Sequence, residues 1–238
     1  MLKVNNIKKS FDNNLILDGI NLYVDKGEFV SILGVSGSGK TTIFNIIAGL
    51  IKPDGGNIYV NGKDITGKTG IIGYMQQNDL LLPWKNIYDN VTLPLTIKGE
   101  KKANARKIAG KYMPLFGLEG YGEKYPKELS GGMRQRAALL RTYLFSGEIM
   151  LLDEPFAKLD AITKRKLQNW LSGVVKKMNI TTLLVTHDVE EAILLSDRIY
   201  IISDKPATIK REFTVSENAK NLGSAEFYEL QKSILNTL

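Results

Sequence analysis

The chain has 238 residues, 43% of them hydrophobic and 24% charged, the balance of an ordinary globular protein with enough apolar mass for a real core. Its 32 Lys and Arg against 25 Asp and Glu leave a net charge of +7, which suits anionic partners, but the basic residues form no dense block that would argue for nucleic acid. With no cysteine and one histidine, disulfides, thiolate metal sites, cysteine nucleophiles and poly-histidine metal sites are excluded.

Met1 to Asn5 shows no apolar signal region, and no apolar run approaches the roughly 18 residues needed to cross a bilayer. The expectation is a soluble chain, with any spanning part supplied by other chains. In chain order, Leu2–Ile7, Ile20–Val24, Glu28–Leu33 and Asn57–Val60 read as short strands. A helix follows Gly39, with Ile43, Ile46, Ile47 and Leu50 on one face and Gly49 near its end. Residues 85–146 are helical in pattern, broken at Pro94, Pro114 and Pro126. Strand and helix then alternate: Glu148–Leu152, a helix over 161–178, Thr182–Thr186, a helix over 188–196, and Arg198–Ser203. This alternation predicts an α/β fold with a mainly parallel sheet covered on both faces. The expected division is a core with a β subdomain over 1–84 and 147–205, an inserted helical subdomain over 85–146, and a tail over 206–238. The tail is open to three readings: it packs on the core, regulates, or merely ends the fold.

Gly34-Val35-Ser36-Gly37-Ser38-Gly39-Lys40-Thr41 fits G-x-x-x-x-G-K-[ST]. It follows a predicted strand and opens a predicted helix, which separates it from an ordinary glycine-serine turn. Such a loop curls backbone N–H groups around phosphates, and the helix N-terminus adds positive potential. Lys40 supplies a mobile charge, Thr41 a hydroxyl for Mg²⁺, and Thr42 continues the nucleotide-binding segment.

Ile149-Met150-Leu151-Leu152 runs into Asp153-Glu154, and Leu183-Leu184-Val185-Thr186 into His187. Parallel strands deliver their last residues to the carboxyl edge of the sheet, where ligands bind. Asp153 then reaches Mg²⁺ or its waters, Glu154 polarises an attacking water, and His187 contacts the γ-phosphate. Leu129-Ser130-Gly131-Gly132-Met133-Arg134-Gln135-Arg136 reads as a second glycine-rich helix start, capped by Ser130.

These motifs, with Leu129 to Arg136 falling in the chain between the phosphate loop and the acidic pair, resemble the ATP-binding-cassette (ABC) ATPases, with a P-loop NTPase, RecA-like core and an N-terminal antiparallel β subdomain. The resemblance covers about residues 1–205. It implies ATP and Mg²⁺ as cofactors. Phe11 would stack on adenine, Gln77 would belong to the loop joining core to helical lobe and reach the metal, and His187 would be the switch histidine. It implies a homodimer in which Ser130, Gly131, Gly132 and Asp160 act on the partner's ATP. Leu81-Leu82-Pro83-Trp84, Asp153-Glu154-Pro155-Phe156 and Thr186 to Ala192 look closest to cassettes of nitrate, sulfonate, taurine and thiamine-precursor importers. That implies transmembrane permease subunits, a solute-binding protein, and a position on the inner face of the cell membrane. Leu80 to Trp84 either dock the permease or pack the helical lobe. Lys158 departs from the small residue the family often carries before Leu-Asp; it either points to solvent or alters communication between subunits. The alternative, an ABC ATPase acting on DNA or ribosomes, fits less well. The interval Thr42 to Glu128 is too short and proline-broken for long coiled coils, and there is one cassette rather than two. No Asn-Lys-x-Asp motif points to a GTPase.

Overall fold

In the computed structural model, which describes residues 1–238, the strand ends align where the sequence pattern requires. A six-stranded sheet has the order β10-β9-β3-β8-β7-β6, with β3 (Phe29–Leu33), β6 (Gly73–Met75), β7 (Ile149–Asp153), β8 (Thr181–Thr186), β9 (Arg198–Ile202) and β10 (Ile209–Thr214). All neighbours are parallel except β10, which runs antiparallel on one edge. A separate four-stranded antiparallel sheet holds β1 (Leu2–Phe11), β2 (Asn14–Val24), β4 (Gly55–Val60) and β5 (Lys63–Asp64) in the order β2-β1-β4-β5.

The central strands are buried along their whole length, as unbroken apolar runs demand. Alternate residues of one strand serve different cores. Ile149 and Leu151 join a core of 24 residues under the antiparallel sheet, which includes α1 (Lys40–Ile47). Met150 and Leu152 join a core of 25 residues with α5 (Gly131–Ser146) and α6 (Ala161–Met178). Between β6 and α5 lie α2 (Ile87–Val91), α3 (Leu93–Ile97) and α4 (Lys102–Tyr112). Pro94 sits in the first turn of α3, where its missing N–H costs nothing, and Pro114 follows the end of α4.

One expectation changes, two strands are added, and the open reading of the tail closes. The helix after Gly39 ends at Ile47, so Leu50 lies beyond it and is 56% exposed rather than on the buried face. The strands β5 and β6 had no clear signal, being two and three residues long. Residues 206–238 pack on the core: β10 extends the sheet, and α8 (Ala225–Leu235) lies on α7 (Val189–Leu195) in a third cluster with Phe213, Phe227 and Ile234. No helix is long and apolar enough to cross a membrane.

Candidate nucleotide site

Register places the motif residues together. Leu33 pairs with Thr186, Asp153 with Val185, and Met75 with Leu152. The residues that follow these strands therefore leave from one edge: Gly34, Glu154, His187 and the Gln76-Gln77 segment. Gly39 takes φ +106°, where a side chain would be strained, and a Cβ there would stand 3.0 Å from Leu17. The turn leads into the exposed N–H groups of α1. A cleft of about 680 Å³ opens here, lined among others by Ser36, Thr42, Asn45, Gln77, Glu154 and Lys205.

Lys40, 5% exposed, donates to the carbonyls of Gly34 and Val35, both at 2.7 Å. Burial lowers its ammonium pKa, and the charges of Glu154 and Asp153 oppose that shift. Asp153 is also 5% exposed; burial pushes its carboxyl pKa up, while donors from Thr41 and Tyr74 pull it down. Thr41 Oγ1 donates to Asp153 Oδ2 at 3.1 Å and the Tyr74 hydroxyl donates to the same oxygen at 3.2 Å. Burial, then the charge of Asp153, raises the Tyr74 phenol well above its ordinary range.

Glu154 takes φ +45°, unusual for a residue with a side chain, and is anchored by its N–H to Val185 O at 2.9 Å. Its carboxylate is bracketed: Gln77 Nε2 donates to Oε2 at 3.2 Å, and His187 Nδ1 lies 3.1 Å from Oε1. His187 stays exposed on its other side. The turn that presents it is held from behind. Glu191, 4% exposed, accepts from Thr186 Oγ1 at 2.6 Å and pairs with Lys164 at 2.7 Å, and Thr186 Oγ1 accepts the Asp188 N–H.

The structure fits the expected cofactors. Ser38 Oγ is buried in the loop with no hydrogen-bond partner. Thr41 and Asp153 offer adjacent oxygens, the hard donors Mg²⁺ takes, and no group of three or more His, Cys, Asp and Glu side chains forms an all-protein cage. Magnesium here would be shared with phosphates and waters.

Other expected residues lie apart from this cleft. Phe11 ends β1 with its ring 42% exposed, 5.3 Å from Lys9 Nζ, and does not line the cleft. Ser130 caps α5 by accepting from Met133 N at 3.3 Å, and Gly131 and Gly132 begin that helix away from the cleft. Asp160 is exposed and caps α6, accepting from Thr163 N at 3.0 Å. Lys158 does not point to solvent alone: its ammonium donates to Asn78 Oδ1, tying the loop before Asp160 to the loop after Gln77. Sequence reasoning missed Tyr74, Asn45 and Lys205 in the cleft. It also missed Arg141, whose guanidinium donates to the carbonyls of Leu80 at 2.8 Å and Asp79 at 2.5 Å. Leu81 is buried in the core, while Leu80 and Trp84 are exposed.

A family model for the ABC transporter matches residues 17–157. The chain belongs to the ABC transporter family. Among relatives of this ABC transporter chain is the formylaminopyrimidine import ATP-binding protein of Halalkalibacterium halodurans, 45% identical over 221 residues, covering 92% of the chain and 86% of the relative. The nitrate import ATP-binding protein of a Synechocystis strain is 40% identical over 200 residues, covering 84% and 75%. A dimeric structure of a post-hydrolysis ATP-binding cassette bound to ADP and Pi superposes with a TM-score of 0.76 at 32% identity, over 91% of the chain and 99% of that cassette. As an ABC transporter ATPase, the chain binds and hydrolyses ATP.

Proposed function

We propose that the chain is the ATPase of an importer. Two copies close head to tail around two ATP molecules and drive separate membrane subunits, fed by a solute-binding protein. The solute class is that of nitrate, sulfonate, taurine or thiamine-precursor uptake, and the protein sits on the inner face of the cell membrane. The observation that carries the hydrolytic part is the convergence on Glu154. Its carboxylate stands between Gln77 and His187, beside Asp153 and the phosphate loop. Held from both sides, Glu154 orients a water and takes its proton. Lys40 leaves its two carbonyls for the β- and γ-phosphates, and the N–H groups at the start of α1 stabilise charge on the transferred group. Thr41, Asp153 and Gln77 would hold Mg²⁺, which neutralises phosphate oxygens when bound. Phe11, exposed at the end of β1 outside the cleft, would take the adenine where the nucleotide extends beyond it. The Ser130 to Gly132 turn and Asp160 complete the partner copy's site, as a symmetric head-to-tail pair requires.

The transport part rests on an apolar groove of about 480 Å³ between the core and the helical lobe. Leu50, Ile72, Leu93, Pro94, Ile97 and Phe145 line it, with Ile97 76% exposed. Leu50 and Ile97 stand exposed over this apolar floor, and exposed apolar side chains gathered in one groove mark an interaction surface. Its occupant is an apolar helical segment of a membrane subunit. The test is co-purification from the membrane fraction with tagged wild-type chain and with Ile97→Glu. Multi-span proteins should follow the wild type and be lost from the variant, with ATP affinity unchanged. Retention on ribosomes or DNA at moderate salt, with no membrane partner, would sink the reading.

A further inference from the structure

We propose that Tyr74 is a positioning residue for Asp153, its hydroxyl fixing that carboxylate in the orientation that receives the magnesium of MgATP; this rests on the reading of the cleft given above. Tyr74 pairs with Leu151 in parallel register, and Leu151 and Asp153 alternate onto one face of β7. The phenol therefore rises on the same side of the sheet as the acid, from the neighbouring strand. Its ring meets Phe44 edge-on, with centroids 5.9 Å apart and planes at 87°. Phe44 is fully buried in α1, the helix that follows the phosphate loop. The hydroxyl is thus carried on a ring with little freedom, anchored to both elements that frame the metal position.

Two hydroxyls donate to Asp153 Oδ2, those of Thr41 and Tyr74. They are not equivalent. Thr41 opens α1 beside the phosphates, and its oxygen is itself wanted by the ion. Tyr74 has no place at the ion, so its hydroxyl is given over to holding Asp153 whichever way the Thr41 hydroxyl rotates. Partners that orient a metal-ligating carboxylate contribute to metal affinity without touching the metal. Tyr74 also lines both the nucleotide cleft and the apolar groove. The ring is a shared wall, so an occupant of the groove presses on the residue that orients Asp153.

The test is Tyr74→Phe in the full chain, which deletes the hydroxyl and keeps the ring on Phe44. A fluorescent ATP analogue is titrated in EDTA and again across a magnesium series, and the melting midpoint of the nucleotide-free protein is recorded. The magnesium concentration giving half of the metal-dependent gain in affinity should rise about tenfold. Affinity in EDTA should stay within about twofold, and the melting midpoint should not move. An unchanged magnesium requirement overturns the proposal. So does an equal loss with and without magnesium, or a lowered melting midpoint that accounts for the weaker binding. If the wild type shows no magnesium-dependent binding, the reading of the cleft fails instead, and the two failures are told apart.

Discussion

The nucleotide cleft and the Ser130 to Gly132 corner begin alike, as glycine-rich turns opening onto helix N-termini. They differ in what surrounds them. At the start of α1 stand a buried lysine, a buried aspartate and a glutamate bracketed by Gln77 and His187. At the start of α5 there is a serine cap, and no carboxylate or histidine of the cleft reaches it. The first turn is furnished for chemistry within one copy. The second offers a capped helix start and an Arg134–Asp79 pair at 3.3 Å, and in the proposed dimer it is half of the partner's site.

The sharpest way to break that contrast is Glu154→Gln. Turnover should fall by at least about a hundredfold, the scale of a lost general base. ATP should still bind, as read by equilibrium titration. Hydrolysis within a fewfold of wild type would remove Glu154 from its role.

The Ser130 to Gly132 corner predicts the reverse pattern. In the Glu154→Gln background, which should hold ATP unhydrolysed, size-exclusion chromatography should show an ATP-dependent dimer. Adding Ser130→Arg should abolish the dimer while the monomer keeps its ATP affinity within about twofold, because one Ser130 is required from each copy. A dimer that survives would mean that the corner faces something else.

Lys158 joins the two regions through Asn78. A contact of this kind contributes about 1 kcal/mol, so Lys158→Ala should lower hydrolysis by about fivefold or less and leave ATP affinity untouched. A matching loss of affinity would assign Lys158 to the cleft itself.

The smallest effect concerns Asp160. Hydrogen bonds from the Thr163 backbone hold its carboxyl below the usual aspartate range. A depressed carboxyl contributes stability above its unfolded value, and that contribution is lost as pH falls through the folded value. Asp160→Asn, still a good cap, should therefore show a slightly lower melting midpoint at neutral pH that converges on the wild type as the solution is acidified below about pH 4. A difference that persists in acid would deny the cap its ionised state.

The cleft was legible because its residues sit at the ends of apolar runs, and the pattern that buries a strand also names the residue that leaves it. Leu151-Leu152-Asp153-Glu154 and Val185-Thr186-His187 both worked this way. The three-residue β6 is too short to show a period, so Tyr74 went unseen. In β10 only Phe213 is buried, as befits an edge strand, and that pattern gave no strand signal. Lys158 with Asn78 and Arg141 with Leu80 meet across 80 and 61 residues. Nothing local announces such a meeting. Leu50 misled because helical spacing continued past the true end of α1, into a groove where an apolar side chain is exposed.

Arg141 grips the loop after β6 by the carbonyls of Asp79 and Leu80, atoms that every amino acid carries. The grip itself asks nothing of either side chain. Leu80 holds φ +46°, so only residues that tolerate that backbone replace it, while the exposed Trp84 takes no part in the grip. The side chain at 84 can drift while the engine behind it keeps its setting.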